Sequence, residues 1–390
     1  MAVINRFAEL APAITAWRRD IHAHPEILFD THRTSGLVAE KLRGFGVDEV
    51  VEGIGRTGVV GVIRGRETGS GHVIGLRADM DALPMPEATG LDYASQTPGA
   101  MHACGHDGHT AMLLGAAQYL AETRNFDGTV VVIFQPAEEG GGGGREMVED
   151  GLMDRFGIQR VYGMHNLPGL AVGAFAFRPG PIMASSDTFS IVITGRGGHG
   201  AMPHTGIDPV VTAAQMITAL QQIASRNTDP LKPAVVSVTS LRTSSNASNV
   251  IPEEVELIGT ARALDGETQD LIERRMGEVV AGIAAAHGAS ARFTYDRDYP
   301  VTANHPDETA FAASVAREVV GAARVDAEAP PMMGAEDFSF MLNERPGAIV
   351  FVGNGDTAAL HHSKYDFNDE VIPVGCSYWV RLVETAMPAA

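Results

Sequence analysis

Residues 109–139 read HTAMLLGAAQYLAETRNFDGTVVVIFQPAEE. Over 109–123 the apolar residues Met112, Leu113, Ala116, Ala117 and Leu120 fall at helical spacing, so this segment is expected to be a helix. From Gly128 to Phe134 the pattern becomes an unbroken β-branched and aromatic run, which predicts a strand buried on both faces. Helix alternating with buried strand indicates an α/β layer with a largely parallel sheet.

Working outward, residues 7–44 predict a helix, a break at His24-Pro25 and a second helix over 34–42. Strands are expected over 59–64, over 72–77 (running into Ala78-Asp79-Met80-Asp81) and over 161–164, with His165 directly after. Ligands of such sheets gather beyond the carboxyl ends of strands, where Asp79, Glu138, Glu139 and His165 are expected to lie. From about Asp187 the texture changes to strand 188–194, helix 208–225, strands 235–241 and 255–263, helix 267–287 and strand 291–295. That β-α-β-β-α-β order is the ferredoxin-like split motif, and it reads as an inserted domain. After Pro300 the α/β pattern resumes with helix 307–320, strand 348–352 and a last helix over 373–386. The expected layout is therefore an α/β domain over 1–185 and 299–390, with a largely parallel mixed sheet flanked by helices. An inserted α+β domain occupies 186–298.

A chain of 390 residues has room for more than one core. Its formal charge of -19 argues against nucleic acid, which needs a basic face, and does not favour anionic membranes. The start, Met1-Ala2-Val3-Ile4-Asn5-Arg6, has no basic region leading into a long apolar core, so no signal peptide is expected. No apolar run approaches the roughly 20 residues of a membrane span. The only cysteines are Cys104 and Cys376; a disulfide between them is conceivable, but Cys104 lies among histidines. Cytoplasmic residence is the expectation.

The chemistry concentrates just upstream of the opening stretch. Met101-His102-Ala103-Cys104-Gly105-His106-Asp107-Gly108-His109-Thr110 packs one thiol and three imidazoles together, and Glu138-Glu139 ends the buried strand. Soft and borderline ligands beside paired carboxylates suit a transition-metal hydrolase: some groups hold the ion and one moves protons. Each element has a plainer reading. A single Cys-x-His is weak; Cys104 could be a nucleophile activated by a histidine, but that leaves the carboxylates idle. Glu138-Glu139 could be a solvated acidic loop, and Gly140–Gly144 a floppy linker rather than a snug turn. His165, His361 and His362 could each be core or surface histidines, and Asp79 and Asp81 strand-end caps. The sharper reading makes Asp79 a carboxylate that orients a ligand. His22, His24 and His32 read as structural or surface residues.

With these residues in view, the chain resembles the metallo-amidohydrolase, aminoacylase and carboxypeptidase superfamily. The branch is that of hippurate hydrolase, auxin-conjugate hydrolases and N-acetyl-amino-acid deacetylases. The resemblance runs end to end through ordered motifs: Arg18–Glu26, Arg77–Pro84, Met101–Thr110, Gln135–Glu139, Gly163–Asn166, Gly197–His204, Asn249–Pro252, Gly334–Phe338 and Leu360–Asp369. It implies a zinc-peptidase-like catalytic domain and two divalent metal ions held by Cys104, His106, Glu139, His165 and His361. His361 is preferred to His362 because the first position of that pair is the one the family uses. Ala78 stands where the wider superfamily has a ligand histidine, and Cys104 with His106 compensate. A thiolate favours zinc-like ions, whereas this branch often works with manganese or cobalt. The resemblance further implies Glu138 as general base and acid, and the inserted domain as lid or dimerisation domain of a homodimer or higher homo-oligomer. It gives His199 as an oxyanion donor reaching a neighbouring subunit, and Asn249 and Arg262 as substrate contacts. Without the resemblance, those three read as a turn histidine, a turn asparagine and an exposed strand arginine. The implied reaction is hydrolysis of an N-acyl amino acid, with a dipeptidase or carboxypeptidase, or a non-catalytic conjugate-binding protein, as alternatives.

Overall fold

The computed structural model describes residues 3–389. The chain divides into two compact units: one takes the chain up to Ile182, Ala303–Pro330 and the chain from Asp337 onward, the other Met183–Thr302 and Pro331–Glu336. The short Pro331–Glu336 segment groups with the insertion because the Ala184 N–H donates to the carbonyls of Met332 at 3.1 Å and Gly334 at 2.8 Å.

In the first unit an eight-stranded sheet has the spatial order Glu49–Ile54, Gly58–Arg64, Thr129–Gln135, Val73–Asp79, Arg160–Pro168, Gly347–Gly355, Phe175–Ala176, Val325–Asp326. The four central strands, from Thr129–Gln135 to Gly347–Gly355, run parallel, and the two at the amino-terminal edge join antiparallel. Gly347–Gly355 is buried at every residue, as strands covered by helices on both faces must be. The helix expected over 109–123 begins three residues earlier, as His106–Thr123, and every residue from His106 to Ala117 is buried. It is buried all round rather than on one stripe because helices Arg6–Ala23 and Ile372–Ala386 pack against it. The strand expected over 161–164 continues to Pro168, so His165 sits within it, opposite Phe351, and not beyond its end. Strand Glu49–Ile54 was not foreseeable from alternation, since its residues are mostly exposed or half-buried in no regular order.

The second unit carries strands Ser186–Thr194, Ala234–Thr243, Glu254–Ala263 and Ser290–Tyr299, with helices Pro209–Leu220 and Gly266–Ala286 between them. Their spatial order is 234–243, 254–263, 186–194, 290–299, antiparallel throughout, which is the ferredoxin-like arrangement. Alternate residues of Glu254–Ala263 are buried, and Leu257 packs with Met216, Leu220, Ile272 and Met276 of the helices. Asp208 and Asp265 cap the two helices by accepting from first-turn backbone N–H groups. No helix among the described residues is long and apolar enough to cross a membrane.

Candidate metal centre

Cys104 and His106 flank Gly105 where helix His106–Thr123 begins. Gly105 has φ +89°, and a Cβ there would collide with Asn166 Nδ2 and Tyr365 Oη, so the approach requires glycine. Asn166 uses that space: its Nδ2 donates to the Cys104 carbonyl at 2.6 Å and its Oδ1 accepts from the Tyr365 hydroxyl at 2.8 Å.

Two imidazoles are oriented by the nitrogen that faces away from the centre. His165 Nδ1 donates to the Asn166 carbonyl at 2.7 Å, which leaves Nε2 toward Cys104 Sγ, 3.4 Å away. His106 Nδ1 donates to the Asp81 carbonyl at 2.9 Å, and its Nε2 stands 3.9 Å from Glu139 Oε1. Fixing one ring nitrogen by a backbone carbonyl while the other is presented is how metal-ligating histidines are held. His361 joins from the loop after strand Gly347–Gly355, its Nε2 3.4 Å from Glu139 Oε1. Its own φ is +59°, and its N–H donates to the Ala103 carbonyl at 2.8 Å.

The potential ligand atoms of Cys104, His106 and His165 lie within 4.8 Å of one another, as do those of Cys104, Glu139 and His361, and of His106, Glu138 and Glu139. His106 Nε2 and Glu139 Oε1 are buried without a hydrogen-bond partner. Each such atom costs about 1–3 kcal/mol if left unsatisfied, and a divalent cation between them removes both penalties. The donor set therefore fits a metal.

Glu138 and Glu139 stand just past the end of strand Thr129–Gln135, where Ala137 has φ +54°. The buried Asp81 carboxylate accepts from the backbone N–H groups of Glu138 at 2.9 Å and Glu139 at 3.1 Å. Asp81 thus grips both glutamates and, through its carbonyl, His106; the sequence offered it only as a strand-end cap. Asp79 accepts at Oδ1 from His109 Nδ1 at 2.6 Å and at Oδ2 from Arg77 Nη1 at 2.8 Å. His109 Nε2 in turn accepts from the Asn166 N–H at 2.9 Å, so both nitrogens of that ring are occupied. Asp79 accordingly orients His109, and its Oδ2 also stands 3.7 Å from Nε2 of the expected ligand His106. His102, the remaining imidazole of the cluster, lies tilted beside His22 with ring centroids 6.2 Å apart, and burial drives its pKa down to about 3.

Burial would lower the pKa of His106, but Asp79, Asp81 and Glu139 override it and push it up to about 10. Burial holds the Cys104 thiol well above its usual range, with Glu139 adding to the effect. For His165 burial wins, and its pKa falls well below the ordinary value. Burial for Cys104 and the neighbouring carboxylates for His106 thus favour the protonated forms, and a bound metal would displace those protons.

In the second unit, His199 and Asn249 are exposed and adjacent. Val250 pairs with His199, the Gly200 N–H donates to the Asn249 carbonyl at 2.8 Å, and both residues line an open depression of about 410 Å³ with Ser244 and Ser245. Arg262 lies on strand Glu254–Ala263, half-buried rather than exposed, and its guanidinium bonds the Thr260 hydroxyl and the Ala261 carbonyl, both neutral oxygens.

Residues 75–385 match peptidase family M20/M25/M40. The chain belongs to that family. It is a metal-dependent amidohydrolase, in keeping with the donor set. It is 43% identical over 382 residues to a hippurate hydrolase of Campylobacter jejuni, covering 98% of both chains. It is 40% identical over 381 residues to thermostable carboxypeptidase 1 of Saccharolobus solfataricus, covering 95% of this chain and 94% of that one. A solved Bacillus subtilis protein described as a dinuclear metal binding peptidase of the M20 family superposes with a TM-score of 0.83 at 35% identity, over 98% of this chain and 100% of that one.

Proposed function

We propose that the chain hydrolyses N-acyl amino acids, releasing a carboxylic acid and a free amino acid. The observation that carries this reading is the pair of ligand triads sharing Cys104, with Glu138 beside them. Cys104, His106, Glu139, His165 and His361 would hold two divalent ions, drawn from manganese, zinc and cobalt. When bound, such ions supply Lewis-acid polarisation of the amide carbonyl and lower the pKa of water.

Glu138 takes the proton released as water attacks the amide carbon, then hands it to the departing nitrogen. Asp81 keeps that carboxylate in place through the backbone bond described above. His199, brought by a second copy of the chain, donates to the developing oxyanion; such a donor is worth about 3–4 kcal/mol in the transition state. Arg262 pairs with the substrate carboxylate, and Asn249 binds beside it. Half-burial and neutral partners support that role for Arg262, since a desolvated guanidinium gains most from an incoming carboxylate.

A carboxypeptidase is the second reading, favoured by the likeness to the Saccharolobus solfataricus enzyme. Turnover of a panel of N-benzoyl and N-acetyl amino acids beside peptides with a free amine separates the two. Cleavage of peptides alone would overturn the first reading, and metal-replete protein that binds conjugates without turnover would point to a binding protein.

A further inference from the structure

The turn that bears Glu138 and Glu139 is tied down on its far side by a residue distant in sequence. The Ala137 carbonyl accepts from the Gly143 N–H at 3.1 Å and the Glu138 carbonyl from the Gly140 N–H at 2.7 Å, so the segment closes on itself. A Cβ at Gly143 would drive into the Pro136 carbonyl, so the closure also depends on that residue. Immediately after, the Gly144 N–H donates to Asp337 Oδ2 at 2.7 Å. Asp337 is fully buried and also accepts from Gln135 Nε2, at 2.7 Å on Oδ1 and 2.9 Å on Oδ2, and from Arg77 Nη2 at 3.0 Å on Oδ1. Gln135 is the last residue of the strand before the turn and Gly144 lies just after it. One carboxylate thus links entry to exit. Between them Ala137 holds a left-handed backbone, which a residue with a Cβ keeps only where its surroundings overdetermine it.

We propose that Asp337 is a positioning residue for Glu138 and Glu139. By holding Gln135 and Gly144 together it keeps Ala137 left-handed and both carboxylates at their stations. This inference rests on the role proposed for Glu138. Asparagine cannot substitute, because either orientation of its amide turns an NH2 group toward an N–H donor.

Two variants test the clamp. Asp337→Asn removes the acceptor; Gly144→Ala places a Cβ 2.7 Å from the Asp337 carbonyl oxygen and 3.1 Å from its Oδ1, forcing the two apart without a change of charge. In metal-free protein, hydrogen exchange over residues 135–146 is expected to quicken about tenfold in both, with 109–123 unchanged. With metal restored, kcat is expected to fall about tenfold to a hundredfold while KM stays within about twofold. Adding Ala137→Gly to Asp337→Asn is expected to recover part of kcat, because glycine holds the left-handed conformation unaided; a general loss of stability would show no such rescue. Wild-type exchange over 135–146, or wild-type kcat in a folded variant, overturns the proposal, and Gly144→Ala decides alone if Asp337→Asn does not fold. If Glu138→Gln retained full kcat, the role of Glu138 would fall, and exchange over 135–146 would still report on the clamp.

Discussion

Replacing Gly105 by alanine isolates the crowding that sets Cys104 beside His165. Two costs add. A non-glycine residue in the left-handed region loses roughly 1–2 kcal/mol. The new methyl group also strikes Asn166 Nδ2 and Tyr365 Oη, and overpacking of a filled interior costs about 1–3 kcal/mol more. The sum is about 2–5 kcal/mol. Gly46→Ala is the matched control, since Gly46 has φ +75° with nothing within 4 Å of an added Cβ, so only the backbone cost applies. Guanidinium unfolding followed by tryptophan fluorescence suits the measurement, because Trp17 and Trp379 both belong to the first unit and Trp379 is 1% exposed. The two variants are expected to differ by about 1–3 kcal/mol. Gly105→Ala should also weaken metal uptake, since displaced Asn166 no longer holds the Cys104 carbonyl. Equal stability losses in the two variants, with metal titration unaltered in Gly105→Ala, would refute the reasoning.

Three further expectations concern the chemistry. Glu138→Gln should lower kcat by about a hundredfold to ten-thousandfold at nearly constant KM and full metal content; steady-state kinetics with metal analysis checks it. Exhaustive chelation should abolish turnover, and metal uptake should release protons from Cys104 and His106. Both pKa values are raised in the metal-free protein, so apparent affinity must strengthen as pH rises and weaken as it falls; calorimetry in buffers of differing ionisation heat between about pH 6 and pH 8 reads the proton count, and pH-independent affinity would contradict it. Arg262→Ala should raise KM roughly tenfold or more for an N-acyl amino acid but not for its methyl ester, because only the acid offers a carboxylate to pair.

The parallel core and the ferredoxin-like insertion were legible because burial on two faces or on one leaves opposite periodicities in the residues themselves. Residue type alone pointed to Cys104, His106 and the Glu138-Glu139 pair; His165 and His361 entered the proposed ligand set through the family resemblance, and the folded chain brings the five side chains of that set together in the first unit. Type also misled. His109 has the same side chain as a ligand, yet Asp79 and Asn166 occupy both its nitrogens, a fact set by folding and not by spacing. Asp81, Asn166 and Asp337 lay within motifs of the resemblance but carried no role there, because the groups they bond lie tens to hundreds of residues away. Helix Gly143–Glu149 was hidden under glycines whose local reading is a turn; the fit against Asp337 overrides that preference.

The five side chains proposed as ligands sit on four well-separated stretches, from Cys104 to His361, so the full set is assembled only in the folded chain. Whatever binds only the native form draws the folding equilibrium toward it, by about 2.7 kcal/mol when the free ion stands at a hundred times its dissociation constant. If those residues hold metal as proposed, its supply would govern the stability of this protein as well as its turnover: a starved cell would hold more of the chain in forms open to proteases, and repletion would protect it before a single substrate is cleaved.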